Sequence, residues 1–387
     1  MKQLLFMTIW LCCALSLGAQ PPVIVGAERT ADYFPLLKDQ RVALFSNHTG
    51  RVGDKHLLDV LVENHLNVVA IFSPEHGFRG EAGAGDHVAS SIDPKTGIPI
   101  LSLYDGGLNR PSAESMQKFD ILIVDIQDVG LRFYTYYVTM VKLMDACAEY
   151  QKKVLILDRP NPNGHYVDGP ILDMKHKSGV GWLPIPVVHG MTLGELATMV
   201  NGEKWLPEGR TCDLTVITCL NYTHQTLYRL PVPPSPNLPN MTAVYLYPSI
   251  CYFEATPVSL GRGTPRPFQV YGHPNMKKHK YTFTPRSVPA AHTPPQKDKL
   301  CYGVNLSTLP DEKIWKKGID LSYVIDAYQS LNMDDHFFRS FFEKLIGVDY
   351  VRQMIKQGKS ADEIKAMWQE DVIKFKEQRR PYLLYDE

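Results

Sequence analysis

Asp120-Ile121-Leu122-Ile123-Val124-Asp125-Ile126 decides the fold. A run so continuously apolar reads as a strand with neither face in water, the kind found inside a parallel sheet. The same pattern recurs outward from it. Arg41 to Ser46, Asn67 to Ser73, Ile98 to Tyr104 and Lys153 to Asp158 read as further strands. Between them lie helical patterns. Asp54 to His65 carries Leu57, Leu58, Leu61 and Val62 at the spacing of one helix face, and Tyr134 to Tyr150 is a second helix. Thr192 and Glu195 form a capping box opening a helix to about Asn201, and Cys212 and Cys219 flank one more strand. Strands alternating with helices predict an α/β fold, its parallel sheet covered on both faces.

The second half is different. Leu230 to Pro239 is proline-rich, and a run such as Pro231-Val232-Pro233-Pro234-Ser235-Pro236 can be neither helix nor central strand. Residues 240–310 mix short strands and loops. Residues 320–380 turn helical, with Leu321, Val324, Ile325 and Tyr328 on one face and a second capping box at Ser360 and Glu363. The length of 387 residues suits two domains.

Lys+Arg and Asp+Glu both total 41, so no global charge excess draws the chain to nucleic acid or an anionic membrane. Residues 1–20 read as an export signal: Lys2, an apolar run from Leu4 to Leu17, and Leu17-Gly18-Ala19 as a small-residue cleavage site. The run is short for a bilayer span, and no later stretch is long enough, so an exported protein, periplasmic or secreted, is expected. Removal of the signal leaves Cys147, Cys212, Cys219, Cys251 and Cys301. They lack zinc-ribbon spacing and read as buried free thiols.

Polar residues cluster after the strands. Asn47 and His48 follow the first, Glu75 and His76 the second, and Tyr104 the third. Asp125, Gln127, Asp128 and Arg132 follow the fourth, Arg159 and Asn161 the fifth, and His189 ends Pro186-Val187-Val188. In open parallel sheets a ligand crevice lies beyond the carboxyl ends of the strands, so these side chains point to a site.

Cofactor fingerprints are missing. Gly83-Ala84-Gly85 has Val88 at its sixth position and does not open a first βα unit, so no dinucleotide is expected, and there is no P-loop motif. No G-x-S-x-G elbow marks a serine hydrolase. His48, Glu75, His76, Asp125 and His189 are metal-ligand types, but they come from separate loops without dense spacing, and no metal is assigned.

Carboxylate chemistry fits better. Glycoside hydrolysis needs one carboxylic acid to protonate the leaving oxygen, and usually a second as base or nucleophile. Glu75 is the leading acid, with His76, Asp125 and His189 as support. Each has a second reading: Glu75 as a loop salt bridge with Arg79 or Arg132, Asp125 as a helix cap or structural hydrogen bond, His189 as a satisfied structural histidine. Tyr104, Tyr134 and Tyr136 suit either a sugar ring or the core.

The motifs that carry these residues resemble those of a known family, the exo-β-N-acetylmuramidases of the NamZ type. They are Phe72-Ser73-Pro74-Glu75-His76-Gly77-Phe78-Arg79-Gly80, Asp125 to Tyr136 (DIQDVGLRFYTY), Asp158-Arg159-Pro160-Asn161-Pro162, His189 to Glu195 (HGMTLGE), Pro234-Ser235-Pro236-Asn237 and Gly261 to Phe268 (GRGTPRPF). The match spans nearly the whole chain after the signal. It implies a Rossmann-like domain over residues 21–230, a smaller α+β C-terminal domain over 231–387 and a cleft between them. It also implies release of N-acetylmuramic acid from the non-reducing end of peptidoglycan fragments, muropeptides or disaccharides, with Glu75 catalytic. One departure is that the family often has Ser-Glu-Gly-Arg-Gly-Thr where this chain has Ser259-Leu260-Gly261-Arg262-Gly263-Thr264, which leaves Glu254 as the nearby acid. The substrate's lactyl carboxylate suits a planar arginine fork, and Arg132, Arg159, Arg262 and Arg266 are the arginines that present themselves. Asn47, Gln127, Asn161 and Glu254 complete the expected substrate contacts. A non-catalytic muropeptide binder and a metal-dependent hydrolase are the alternatives.

Overall fold

The structure is a computed structural model that describes residues 21–74, 78, 91–101, 103 and 110–387. Its strands are β1 (Val42–Ser46), the short hairpin of β2 (Arg51–Val52) and β3 (Lys55–His56), β4 (Val68–Phe72), β5 (Ser91–Ile92), β6 (Pro99–Leu101), β7 (Ile121–Asp125), β8 (Lys153–Leu157), β9 (Asp213–Ile217), β10 (Val270–His273), β11 (Tyr281–Phe283) and β12 (Cys301–Asn305). Seven of them form one sheet in the order β5-β6-β4-β1-β7-β8-β9, parallel throughout except for the β5 edge.

Both faces of this sheet are dry, which explains the unbroken apolar strands. Ala43, Phe45, Leu122, Val124, Val154 and Ile156 pack into one core with the helices Tyr136–Glu149 and Leu193–Gly202. Val42, Leu44, Ile121, Ile123, Leu155 and Leu157 point the other way, into a second core with the helices Thr30–Leu37 and Leu57–Glu63. Successive strand residues alternate faces, so each strand divides its apolar residues between the two cores.

The C-terminal half carries a small antiparallel sheet, β10-β12-β11, and a set of short helices ending in Gln369–Arg379. Its apolar residues, among them Phe253, Phe268, Phe342 and Trp368, belong to the first of the two cores, so the halves share packed interior. Both chain ends return to the first half. Ile24 and Leu220 exchange backbone hydrogen bonds. At the other end the Tyr385 hydroxyl donates to Asp158 Oδ2 at 2.6 Å, Leu384 N to Glu195 Oε1 at 2.9 Å and His224 N to Asp386 O at 2.8 Å. The five cysteines among the described residues are buried and free, as read from the sequence. No helix among the described residues is long and apolar enough to cross a membrane.

Candidate active site

The chain builds the sheet from β1 outward through β4 to β6, then returns to place β7 on the other side of β1. That reversal is where open α/β sheets form their ligand crevice. Ser46 at the end of β1 pairs with Asp125 at the end of β7, so the loops that follow leave the sheet as neighbours.

Polar side chains knit these loops together. The Asn47 amide donates to the Tyr136 hydroxyl at 3.0 Å, and Asn47 Oδ1 accepts from the Thr49 amide at 2.9 Å and its hydroxyl at 2.6 Å. Thr49 Oγ1 accepts in turn from Gln127 N at 2.9 Å. The Gln127 side chain donates to the carbonyls of Asp128 and Pro160, both at 2.8 Å, which ties β7 to the loop after β8. Asn47 and Gln127 are buried at the strand ends, and their hydrogen bonds tie together the loops that leave β1, β7 and β8.

The proline-rich segment closes one side. Pro234 O accepts from the Tyr134 hydroxyl at 2.9 Å, and Pro233 O meets His48 Nε2 at 2.8 Å. Prolines offer carbonyls without N–H donors, and the tyrosine at the sheet end supplies a donor. Burial holds the Tyr134 phenol well above its usual range, so it stays a donor. Tyr134 and Tyr136 meet edge to face with ring centroids 4.7 Å apart.

Between this segment and the C-terminal half lies a cavity of about 140 Å³, lined in part by Tyr134, Tyr136, Ser235, Asn237, Glu254 and Arg262. Arg262 Nη2 donates to Glu254 Oε1 at 2.7 Å, and its guanidinium stands 5.0 Å from the Phe268 ring centroid. Each half of the chain contributes to this wall.

Asp128 is the residue that the sequence reading undervalued. It is 6% exposed. Its Oδ1 accepts from Gly130 N at 2.7 Å, while Oδ2 is buried without a hydrogen-bond partner. Burial pushes its carboxyl up to about 7, only partly opposed by backbone donors. Its place after β7 was the one signal available, shared there with Asp125.

Several expected site residues are committed elsewhere. Arg132 is fully buried and donates to four carbonyls: Pro170 O at 2.7 Å, Ile185 O at 2.8 Å, Leu345 O at 3.1 Å and Ile346 O at 2.7 Å. Burial lowers its pKa to about 10. It clips the two halves together and cannot serve a substrate carboxylate. Arg159 and Asp125 form a buried bidentate pair, Nε to Oδ1 at 2.6 Å and Nη2 to Oδ2 at 3.1 Å, and Nη2 also reaches Arg51 O at 2.8 Å. Both partners are buried, both Asp125 oxygens are engaged, and neither residue lines the cavity. Asn161 donates to Met191 O at 2.9 Å and accepts from Asn163 N at 2.8 Å, which spends it on the loop itself. His189 is buried, accepts from Met191 N at 3.2 Å through Nδ1 and lies outside the cavity lining. Burial, aided by the nearby Arg379 charge, lowers its pKa to about 3, so it is neutral, and its buried Nε2 has no hydrogen-bond partner among the described residues. Arg266 is exposed and turns to the Tyr281 hydroxyl at 3.3 Å, again outside the lining. Glu75, His76 and Tyr104 lie outside the described residues. No group of three or more metal-ligand side chains gathers among the described residues.

Two family models match in tandem: Exo-beta-N-acetylmuramidase NamZ, N-terminal, over residues 42–242, and its C-terminal counterpart over residues 245–385. The chain belongs to the NamZ family. A curated relative, the peptidoglycan beta-N-acetylmuramidase NamZ of Bacillus subtilis (strain 168), is 39% identical over 95% of this chain and 92% of its own length. Two solved structures of DUF1343 family proteins from Bacteroides fragilis NCTC 9343 also match. One is 72% identical with a TM-score of 0.90, over 95% of this chain and all of that one. The other is 27% identical with a TM-score of 0.80, over 94% of this chain and 99% of that one. Both solved structures share the α/β architecture of a large, mostly parallel sheet followed by a smaller C-terminal unit. Of the NamZ-type segments quoted above, Asp125 to Tyr136 and Asp158 to Pro162 follow β7 and β8, and residues of the first of these, of the proline loop and of the Gly261–Phe268 loop line one cavity.

Proposed function

We propose that this protein is an exported exo-β-N-acetylmuramidase that releases N-acetylmuramic acid from the non-reducing end of peptidoglycan fragments. The tandem family match carries this reading, because its two segments meet where both halves of the chain line one cavity. Glu75 is the general acid or acid/base, assisted by His76. Asn47, Gln127, Tyr134 and Tyr136 form the sheet side of the crevice, and Glu254 and Arg262 the opposite wall. Residues 21–230 act as the sheet domain and 231–387 as the domain that closes the cleft.

Glu75→Gln keeps the shape of the side chain and removes the transferable proton. The variant should fold normally and release no N-acetylmuramic acid from a chromogenic muramide. Turnover at the wild-type rate would overturn the role of Glu75. A defined disaccharide substrate, followed for both product and anomer, identifies the bond broken and its stereochemistry. Binding without turnover by the wild-type protein would mark a muropeptide binder instead. Export rests on the apolar run after Lys2 and the Leu17-Gly18-Ala19 site. The mature protein should begin at Gln20 in a non-cytoplasmic fraction, and an intact N-terminus in the cytoplasm would refute export.

A further inference from the structure

N-acetylmuramic acid and N-acetylglucosamine differ by one group, the lactyl ether with its carboxylate. An enzyme that distinguishes them needs donors for that carboxylate, held in place and not consumed by the protein. We propose that Arg262 is the residue that distinguishes these two sugars, by taking the lactyl carboxylate in the cavity it shares with Tyr134, Ser235 and Asn237. This rests on the substrate class given under Proposed function.

The geometry selects Arg262 from four arginines. Arg132 is spent on four carbonyls and Arg159 on Asp125 and Arg51 O, while Arg266 faces Tyr281 outside the cavity. Arg262 lines the cavity, its side chain is 21% exposed, and among the described residues one N–H is bound, to Glu254. A guanidinium carries five N–H groups in a planar fork, so a second edge remains for a carboxylate. The fork is also fixed in place. Phe268 lies 5.0 Å away against it, and Gly261 and Gly263 on either side both have positive φ, +87° and +77°. A Cβ at Gly261 would stand 2.4 Å from Arg266 O, and one at Gly263 would stand 2.3 Å from Arg286 O, so the loop admits no side chain at either position. The cavity volume of about 140 Å³ suits a small substituent. A cavity of about 150 Å³ holds one benzene-sized group, and a sugar ring with its hydroxyls needs more.

Glu254 adds a directional expectation. It braces the arginine, yet its negative charge lies beside the proposed anion. Removing that charge while keeping the shape therefore strengthens carboxylate binding, whereas removing the fork weakens it.

The test measures the affinity of the full chain for N-acetylmuramic acid and N-acetylglucosamine by calorimetry, with turnover of the matching chromogenic glycosides. Arg262→Lys keeps a cation for Glu254 and Phe268 but loses the fork, and Arg262→Met loses both. The preference for N-acetylmuramic acid should fall roughly 10- to 100-fold in Arg262→Met, with Arg262→Lys in between, because charge-assisted hydrogen bonds are worth that much. The affinity for N-acetylglucosamine should hardly move, and Glu254→Gln should bind N-acetylmuramic acid at least as tightly as wild type. An unchanged preference in a folded Arg262→Lys and Arg262→Met pair overturns the proposal. So does a parallel loss for both sugars in Arg262→Met and Glu254→Gln, which would mark a structural pair. A wild-type protein that prefers N-acetylmuramic acid through Arg262 but hydrolyses no muramide would refute the enzymatic reading and leave this one standing.

Discussion

Asp128 shows what burial does to one side chain. A folded pKa near 7, against the usual carboxylate value near 4, means that the folded protein holds a proton which the unfolded chain releases across that window. Stability from this group is therefore present below about pH 4 and lost as pH rises toward 7. Asp128→Asn keeps the acceptor for Gly130 N and cannot ionise. It should be more stable than wild type at pH 8, by up to a few kcal/mol, with the gap closing toward pH 5. Thermal unfolding of both proteins across that range measures it, and equal pH profiles would refute the raised pKa. His189 behaves oppositely: its lowered pKa gives stability that is full above about pH 6.5 and lost as pH falls toward 3. The polar residues at the strand ends were legible as a group in the sequence, but which of them are free was not. Arg132 and Arg159 looked equivalent to Arg262 because nothing local announces their partners. The carbonyls that engage Arg132 come from residues 170, 185, 345 and 346, and only the folded chain brings them together.

The elements of the parallel sheet were legible because burial on both faces leaves a continuous apolar imprint. The expected strands at 41–46, 67–73, 120–126 and 153–158 appear as Val42–Ser46, Val68–Phe72, Ile121–Asp125 and Lys153–Leu157. The small sheet was not legible strand by strand, because β11 has three residues and none of them is buried. Both expected capping boxes form, and their surroundings predict different strengths. Thr192 Oγ1 accepts from Glu195 N at 3.2 Å and also donates to the buried Asp158 Oδ2 at 2.7 Å. Ser360 Oγ, by contrast, caps its helix in an exposed site. Ser360→Ala should cost about 1 kcal/mol, as an ordinary cap does. Thr192→Ala removes a cap and a hydrogen bond to a buried carboxylate, and should cost about 2–4 kcal/mol. Urea unfolding midpoints compare them, and equal losses would show that the Asp158 contact contributes little.

For the whole molecule, Arg132 is the joint to test. Its guanidinium links Pro170 and Ile185 in the first half to Leu345 and Ile346 in the second, with no carboxylate partner. Arg132→Met fills similar space and leaves those carbonyls without their donor. It should cost about 3 kcal/mol, and hydrogen exchange should rise first around residues 341–347. Uniform exchange would show that the joint is not local.

The chain ends carry a further consequence. The second half leaves the first through the proline segment, and its last residues come back to Asp158, Glu195 and His224. Between those two places the shared interior and the Arg132 joint also bind the halves to each other. Widening the crevice therefore strains packed interior and the Arg132 joint together, so substrate meets a mouth whose shape is set before it arrives.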